Sequence, residues 1–205
     1  MSEDKDKIYN PLAKRSLGES VEKALLESPA QPLPIKKNFE GAGIYVIYYS
    51  GNFPAYKPIT EKNQGKKLSQ PIYVGKAIAS GGRKGISLEE NMGEALFKRL
   101  SQHAKSIEQT KNLDLKHFSC RYLVVDDIWI PLGETLLITK FNPLWNLVVE
   151  GFGNHTPGAG RFGGMRPNWD TLHPGREWAA KCKPGKKTEK EILKDVEEFF
   201  RKSKK

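Results

Sequence analysis

The chain has 205 residues, of which 38% are hydrophobic and 28% charged, a composition typical of one soluble globular domain with room for an appended arm. Lysine and arginine number 34 against 24 aspartates and glutamates, and the resulting charge of +10 favours binding to a polyanion. The chain has no stretch of about 18 apolar residues and no apolar signal core, so we expect a cytoplasmic protein without a membrane partner. Cys120 and Cys182 fit no zinc-ligand spacing, and they exclude a disulfide framework.

The N-terminal region predicts an arm with one short helix. Ser16 and Glu19 have the spacing of a capping box ahead of apolar residues at helical spacing. Ser28-Pro29 ends that pattern, because proline disfavours helix at the residue before it. We therefore interpret residues 1–40 as an arm that leads into the core.

Two strands follow the arm. Runs of β-branched and aromatic residues predict strands over 43–49 and 70–75. The polar stretch 52–70 between them is longer than an ordinary hairpin connection. We interpret it as an inserted loop of the kind that often carries function.

The middle of the chain predicts a helix, a strand and a second helix. Apolar residues recur at helical spacing over 88–109, where Arg99 and His103 stand one turn apart and can reach one site together. Residues 117–125 alternate as a strand. Residues 131–140 predict a helix with proline near its start.

The C-terminal region divides into a glycine-rich stretch and a helix. Residues 151–185 mix glycines with arginines and aromatic residues, which predicts a surface built of loops. Thr188 and Glu191 form a capping box for a last amphipathic helix with a basic end. The formal GxGxxG match at 158–163 follows no strand, so we expect no nucleotide cofactor.

Several residues with chemical potential fall on these elements in a fixed order. They are Gly43-Ile44-Tyr45 on the first strand, Tyr73-Val74-Gly75 on the second, Arg99 and His103 on the first core helix, Glu134 on the next helix and Asn146 after it. Together they resemble the GIY-YIG nuclease superfamily. The resemblance implies an α+β fold with a small central antiparallel β-sheet flanked by helices. It divides the chain into the arm 1–40, a nuclease core 41–148 with the insertion 52–70, and a part 149–205 with DNA-recognition loops and the terminal helix.

The charged candidates suit the hydrolysis of a phosphodiester, which needs an activated water and positive charge near the phosphoryl oxygens. Mg²⁺ takes only one or two carboxylates, so Glu134 is our candidate metal ligand and Mg²⁺ the expected cofactor. Arg99 offers a planar, permanently charged fork to the phosphate. The resemblance implies hydrolysis with a single metal ion that leaves a 5′-phosphate and a 3′-hydroxyl.

Tyr45 is the candidate that takes the proton from water. A phenol has a pKa of about 10 and needs help from a cation or a second base, which we expect from His103, Tyr73 or Lys76. Asn146 cannot titrate, and its expected role is to orient a neighbour or a ligand by hydrogen bonds. Each residue alone has an ordinary explanation as a core aromatic, a solvated helix residue or a turn residue. Their co-occurrence favours the nuclease.

Four further stretches, 41–43, 48–56, 151–155 and 172–176, carry a second resemblance. They are similar to a narrower group, the GIY-YIG type II restriction endonucleases that cut CCGCGG. A GC-only target favours arginine, because arginine on guanine is the commonest bidentate base contact. The DNA-binding candidates are Arg161, Arg166 and Arg176, with Arg83 and Lys84 in reserve.

A palindromic target predicts the assembly. Two half-sites related by a twofold axis are cut most simply by a homodimer on double-stranded DNA. The arm and the stretch 52–70 are candidates for dimer contacts or for wrapping DNA. Two alternatives stay open: a structure-specific GIY-YIG repair or recombination nuclease, and a non-catalytic DNA-binding protein. The sequence lacks the zinc-ligand cluster or helix-hairpin-helix pattern of the former, and binding alone would not need Glu134.

Overall fold

The computed structural model describes residues 13–65, 68–78, 93–154 and 163–203. Its elements are, in chain order, α1 (Lys14–Glu27), β1 (Gln31–Pro32), β2 (Gly43–Tyr49), α2 (Lys57–Lys62), β3 (Pro71–Ala77), α3 (Ala95–Glu108), β4 (Phe118–Val124), α4 (Ile130–Phe141), α5 (Leu144–Leu147), α6 (Asn168–Leu172), α7 (Glu177–Ala180) and α8 (Glu189–Lys202). Short 3-10 helices cover Pro54–Tyr56 and Leu115–His117. Within these ranges, no helix combines the length and the apolar character needed to cross a membrane.

Four antiparallel strands form the sheet in the order β1-β4-β2-β3. The central strand β2 is buried along its whole length. Because side chains alternate along a strand, Tyr45 and Ile47 enter one hydrophobic core with α3, whereas Ile44 and Val46 enter a second core with α4. The predicted α+β fold, a small antiparallel sheet flanked by helices, is confirmed.

The N-terminal helix differs in its start from the sequence prediction. α1 begins at Lys14, so Ser16 and Glu19 lie inside the helix and the predicted capping box is wrong. The helix ends before Ser28, as predicted. α1 packs on α4, and β1 adds an edge strand beside β4. The described part of the predicted arm is therefore packed on the core.

Most of the stretch 52–70, over 52–65 and 68–70, is described and folded, and its interpretation as a loop is wrong. It contains a 3-10 helix and α2, and the chain then returns to β3 around the buried Asn63. Asn63 Nδ2 donates to Tyr49 O at 3.0 Å and to Gln70 O at 2.9 Å, and its Oδ1 accepts from Gln70 N at 2.9 Å. One amide side chain thus closes the stretch, and Tyr56 from its 3-10 helix enters the core.

The described parts of the stretch 151–185, which are 151–154 and 163–185, are also more ordered than predicted. They contain α6 and α7 and bury Trp169, His173 and Arg176, so they are not a surface built of loops. α8 begins at the predicted capping box, where the Glu191 carboxylate accepts from Thr188 N at 2.7 Å. The division into 1–40, 41–148 and 149–205 stays a prediction.

Candidate active site

Tyr45 lies at the centre of a buried polar cluster between β2 and α3. Its Oη lies 2.6 Å from His103 Nε2, and Arg99 Nε donates to the same oxygen at 3.3 Å. Tyr45 is 0% exposed and His103 2%. Arg99 and His103 reach Tyr45 together because they are one turn apart on α3. The structure thus brings together three of the predicted site residues.

Tyr73 joins the cluster from β3. Tyr45 is paired with Gly75 across the two strands, and Tyr73 is two residues away on the same face. A Cβ on Gly75 would lie 2.4 Å from Tyr45 Oη, so the absence of a side chain lets the Tyr45 ring cross β3. The ring centroids of the two tyrosines lie 6.2 Å apart. The glycine of the second motif therefore allows the two phenols to approach each other.

Burial controls the protonation of both phenols. It raises the pKa of Tyr45 well above the ordinary phenol value, and Arg99 only partly opposes this effect. Burial raises the pKa of Tyr73 for the same reason, again against Arg99. Both phenols are therefore neutral near pH 7. Tyr45 can accept a proton only if it passes its own proton on, and His103 Nε2 lies within reach to receive it.

Glu134 and Lys76 form the charged edge of the site. Glu134 Oε2 lies 2.8 Å from Lys76 Nζ, and the two side chains are 20% and 37% exposed. The negative charge of the Glu134 carboxylate acts on both phenols and raises their pKa. The sequence predicts that Lys76 assists Tyr45, whereas the structure pairs its ammonium with Glu134.

The donor set around Glu134 fits Mg²⁺. Over the ranges that the structure describes, no three His, Cys, Asp or Glu side chains are grouped as a metal site. These ranges therefore contain no site for a structural zinc ion, which needs four protein ligands. Mg²⁺ keeps several waters and binds through one or two carboxylates plus phosphate oxygens. The partly exposed Glu134 would supply one such carboxylate.

Asn146 fixes the edge of the sheet beside Tyr73. Its Oδ1 accepts from Val74 N at 2.9 Å, and its Nδ2 donates to Val74 O at 2.8 Å. β3 is an edge strand, so Asn146 satisfies two backbone groups that would otherwise lack a strand partner. This geometry suits the predicted role of orienting a neighbour, with the backbone of β3 as that neighbour.

Residues 37–200 match the family model described as the Eco29kI GIY-YIG domain. The chain belongs to this family. The match runs from β2 to α8 and so contains the whole cluster around Tyr45. The protein is therefore a GIY-YIG nuclease whose substrate is DNA, and nucleases of this superfamily generally depend on a divalent metal. A search of the curated proteins gives no match.

The sequence predicts a resemblance for residues 151–155 but no place for them at this GIY-YIG nuclease site, where the structure puts residues 151–154. Gly153 O accepts from Arg99 Nη2 at 2.9 Å, and the Phe152 ring stacks on the His103 ring at 4.4 Å and 18°. A Cβ on Gly153 would lie 2.5 Å from Tyr73 Oη. The available signal was an aromatic residue between two glycines, which is typical of a backbone that approaches another group closely.

Arg176 lies elsewhere than the sequence predicts. It is 2% exposed, and its guanidinium is engaged by Asp170 and by backbone carbonyls. These contacts contradict the prediction that Arg176 binds DNA. A long cationic side chain in a glycine-rich stretch is usually on the surface, but α6, α7 and the backbone of residues 151–154 enclose this one.

The remaining DNA-binding candidates are placed only in part. Arg166 is half-buried, and its Nε donates to Ala179 O at 3.1 Å. It lies beside Lys186 and Lys187 around a surface depression near residues 150–154. Arg83, Lys84 and Arg161 lie outside the described residues.

Proposed function

We propose that this GIY-YIG nuclease is a type II restriction endonuclease that cuts double-stranded DNA at a short GC-rich palindrome, CCGCGG, as a homodimer in the bacterial cytoplasm. The family supports the nuclease activity. The observation that carries the mechanism is the hydrogen bond between Tyr45 Oη and His103 Nε2, with Arg99 donating to the same oxygen. A neutral phenol so placed can relay a proton.

In the proposed reaction, the attacking water loses one proton to Tyr45 Oη while the Tyr45 proton moves to His103 Nε2. The water oxygen forms its bond to phosphorus as the bond to the 3′-oxygen breaks, and the 3′-oxygen takes a proton from solvent. The products are a 5′-phosphate and a 3′-hydroxyl. Because both transfers occur together, the buried phenol never carries a full charge, which agrees with its raised pKa.

In this proposal, the charged residues bind the metal ion and place positive charge near the phosphate. Glu134 would hold one Mg²⁺, which when bound supplies positive charge to the phosphoryl oxygens. The Arg99 guanidinium adds a permanent charge beside Tyr45. Lys76, 2.8 Å from Glu134, balances the carboxylate.

Sequence recognition is assigned to the basic C-terminal surface. Of the arginines predicted to bind DNA, Arg166 stays a candidate on the described surface, and Arg161, Arg83 and Lys84 stay predictions from sequence. The palindrome is the reason for proposing a homodimer, since one site per chain then cuts each strand.

The test is to incubate the purified protein with bacteriophage DNA in Mg²⁺ or in chelator and to sequence the ends of the products. Discrete, Mg²⁺-dependent fragments that all end at CCGCGG support the proposal. Ends at a different palindrome would overturn the target, and cutting of branched substrates alone would favour a repair nuclease.

Glu134→Gln tests the metal ligand in the same assay. We expect it to abolish cleavage while DNA affinity in chelator stays at the wild-type value, because the amide is a poor ligand for Mg²⁺. Glu94→Gln is the matched control, since Glu94 also pairs with a lysine, Lys98, at 3.6 Å but at the start of α3. Wild-type cleavage by Glu134→Gln would contradict the assignment.

A further inference from the structure

The buried guanidinium of Arg176 uses all of its N–H donors within the protein. Nε and Nη2 bind the two carboxylate oxygens of Asp170 at 2.6 and 2.5 Å. The other donors reach three carbonyl oxygens of one backbone segment: Gly151 O at 2.9 Å, Phe152 O at 3.1 Å and Asn154 O at 2.9 Å. A planar fork of five donors is the one side chain that can hold this many acceptors at fixed angles.

Two aromatic rings also lie close to the same guanidinium. Its Cζ lies 4.5 Å from the centroid of Trp169 and 4.7 Å from that of Trp178. Cation–π contact and the bidentate carboxylate both restrict its orientation. Arg176 is therefore a rigid clamp on residues 151–154.

Residues 151–154 are the segment that touches the catalytic cluster. Phe152 stacks on His103, and Gly153 O accepts from Arg99 Nη2 at 2.9 Å. A displacement of this backbone would move the Phe152 ring relative to His103 and would take the Gly153 carbonyl away from Arg99 Nη2. The carbonyls that accept from Arg176 belong to the segment that makes both contacts, the one with His103 and the one with Arg99.

We propose that Arg176 and Asp170 are positioning residues, which act on His103 and Arg99 through the backbone of residues 151–154. The inference rests on the proposed function for its effect on cleavage. Its structural content, that the clamp sets the contact between Phe152 and His103, does not depend on the substrate.

The test compares the full-length wild type with two variants. Arg176→Lys keeps a positive charge beside Asp170 but loses the planar fork. The double variant Asp170→Leu/Arg176→Met replaces the pair by apolar side chains and leaves no buried charge unpaired. Arg121→Met is the control, because Arg121 also donates to a backbone carbonyl, Ser28 O at 3.1 Å, but from β4 towards the end of α1.

Three quantities separate a positioning role from a general structural one: the single-turnover cleavage rate, the DNA affinity in chelator, and the NMR resonances of the His103 ring, which the stacked Phe152 shifts. We expect cleavage about 10²-fold slower in the Arg176 variants, as for a small misplacement of catalytic groups. DNA affinity should stay unchanged and the His103 resonances should move. The control should alter none of the three.

Two outcomes would overturn the inference. A folded Arg176 variant that cleaves at the wild-type rate overturns it, and so does one that loses DNA affinity while the His103 resonances stay in place, since Arg176 would then act on DNA. If the double variant does not fold, the result for Arg176→Lys alone decides whether Arg176 is a positioning residue. If the wild type itself does not cut DNA, the proposed function fails, and the His103 resonances still decide whether the clamp sets the site.

Discussion

Two tyrosine–histidine pairs lie in the same hydrophobic core of this nuclease. Tyr45 Oη lies 2.6 Å from His103 Nε2, and Tyr56 Oη lies 2.5 Å from His173 Nε2. All four side chains are buried. By hydrogen-bond geometry alone, the two pairs are nearly the same.

Their surroundings differ. The first pair has Arg99 donating to its phenol and feels the carboxylate of Glu134. In the second pair, Trp145 Nε1 donates to Tyr56 Oη at 3.0 Å, and His173 Nδ1 lies 2.9 Å from the Asn112 amide oxygen.

The comparison teaches that a tyrosine–histidine hydrogen bond is not by itself a catalytic feature. Transfer of a proton along it creates a charge on the histidine, and nearby charged groups and a phosphate are needed to balance that charge. The neutral partners of Tyr56 and His173 offer no such balance. We assign chemistry to the first pair and stability to the second.

The largest expected effect comes from removing the tyrosine hydroxyl of the first pair. Tyr45→Phe removes the relay oxygen, and we expect cleavage to slow by about 10³-fold, in the range of general acid–base catalysis. The measurement is single-turnover cleavage of a DNA with one target site in Mg²⁺. DNA affinity in chelator should not change, because Tyr45 is buried.

Tyr56→Phe is the matched control, since it removes the same atom from the second pair. We expect cleavage near the wild-type rate and a free energy of unfolding lower by about 1–3 kcal/mol, because the Trp145 and His173 nitrogens lose their partner. Equal losses of cleavage in the two variants would erase the distinction between the pairs.

A second prediction concerns pH and the second pair. Burial lowers the pKa of His173 from 6.5 to about 3. Between these values the unfolded chain binds a proton that the folded protein does not, so stability rises with pH there. The contribution is complete above pH 6.5, and it is lost on acidification by up to about 1.4 kcal/mol per pH unit.

Urea unfolding at a series of pH values between 7 and 4 measures this loss. His173→Gln should lower stability at pH 7 but reduce the dependence on pH, because the titrating group is gone. If the free energy of unfolding has the same slope against pH in the wild type and the variant, His173 does not titrate as its burial requires.

The smallest expected effect concerns the ion pair beside the first cluster. Because Lys76 and Glu134 are partly exposed, we expect Lys76→Met to change the free energy of unfolding by less than about 1 kcal/mol. The Mg²⁺ concentration for half-maximal cleavage should fall, since Glu134 loses a competing cation. Lys98→Met, which removes an exposed partner of Glu94, should leave this concentration unchanged. A rise in the Lys76 variant would instead indicate that Lys76 supports the metal site.

Local patterns of the sequence were enough for most of the sheet and its helices. The strand predicted over 43–49 is β2, because alternation and β-branched residues act within a few neighbours. The helix predicted over 131–140 is α4, which ends at Phe141 and is followed by Asn142 in the left-handed conformation and then by proline. The spacing of Arg99 and His103 placed both at one site, since one helical turn fixes their common face.

Contacts between distant segments could not be predicted in this way. Composition marked 52–70 and 151–185 as loops, because polar residues and glycines dominate them, yet each buries aromatic residues against the other, as Tyr56 and His173 show. Arg176 has the side chain expected of a DNA-binding residue, but it is buried like a core residue.

By itself, the sequence determined the central strands and the helix that carries Arg99 and His103, and it supplied the groups that we propose hydrolyse a phosphodiester, because periodicity and residue chemistry are local properties. Only the tertiary structure decided which tyrosine–histidine pair stands among charges, that Lys76 pairs with Glu134, and that Arg176 holds the segment against His103. These outcomes depend on the burial of polar groups. A buried polar group must find its partners wherever the folded chain brings them, at any separation in sequence.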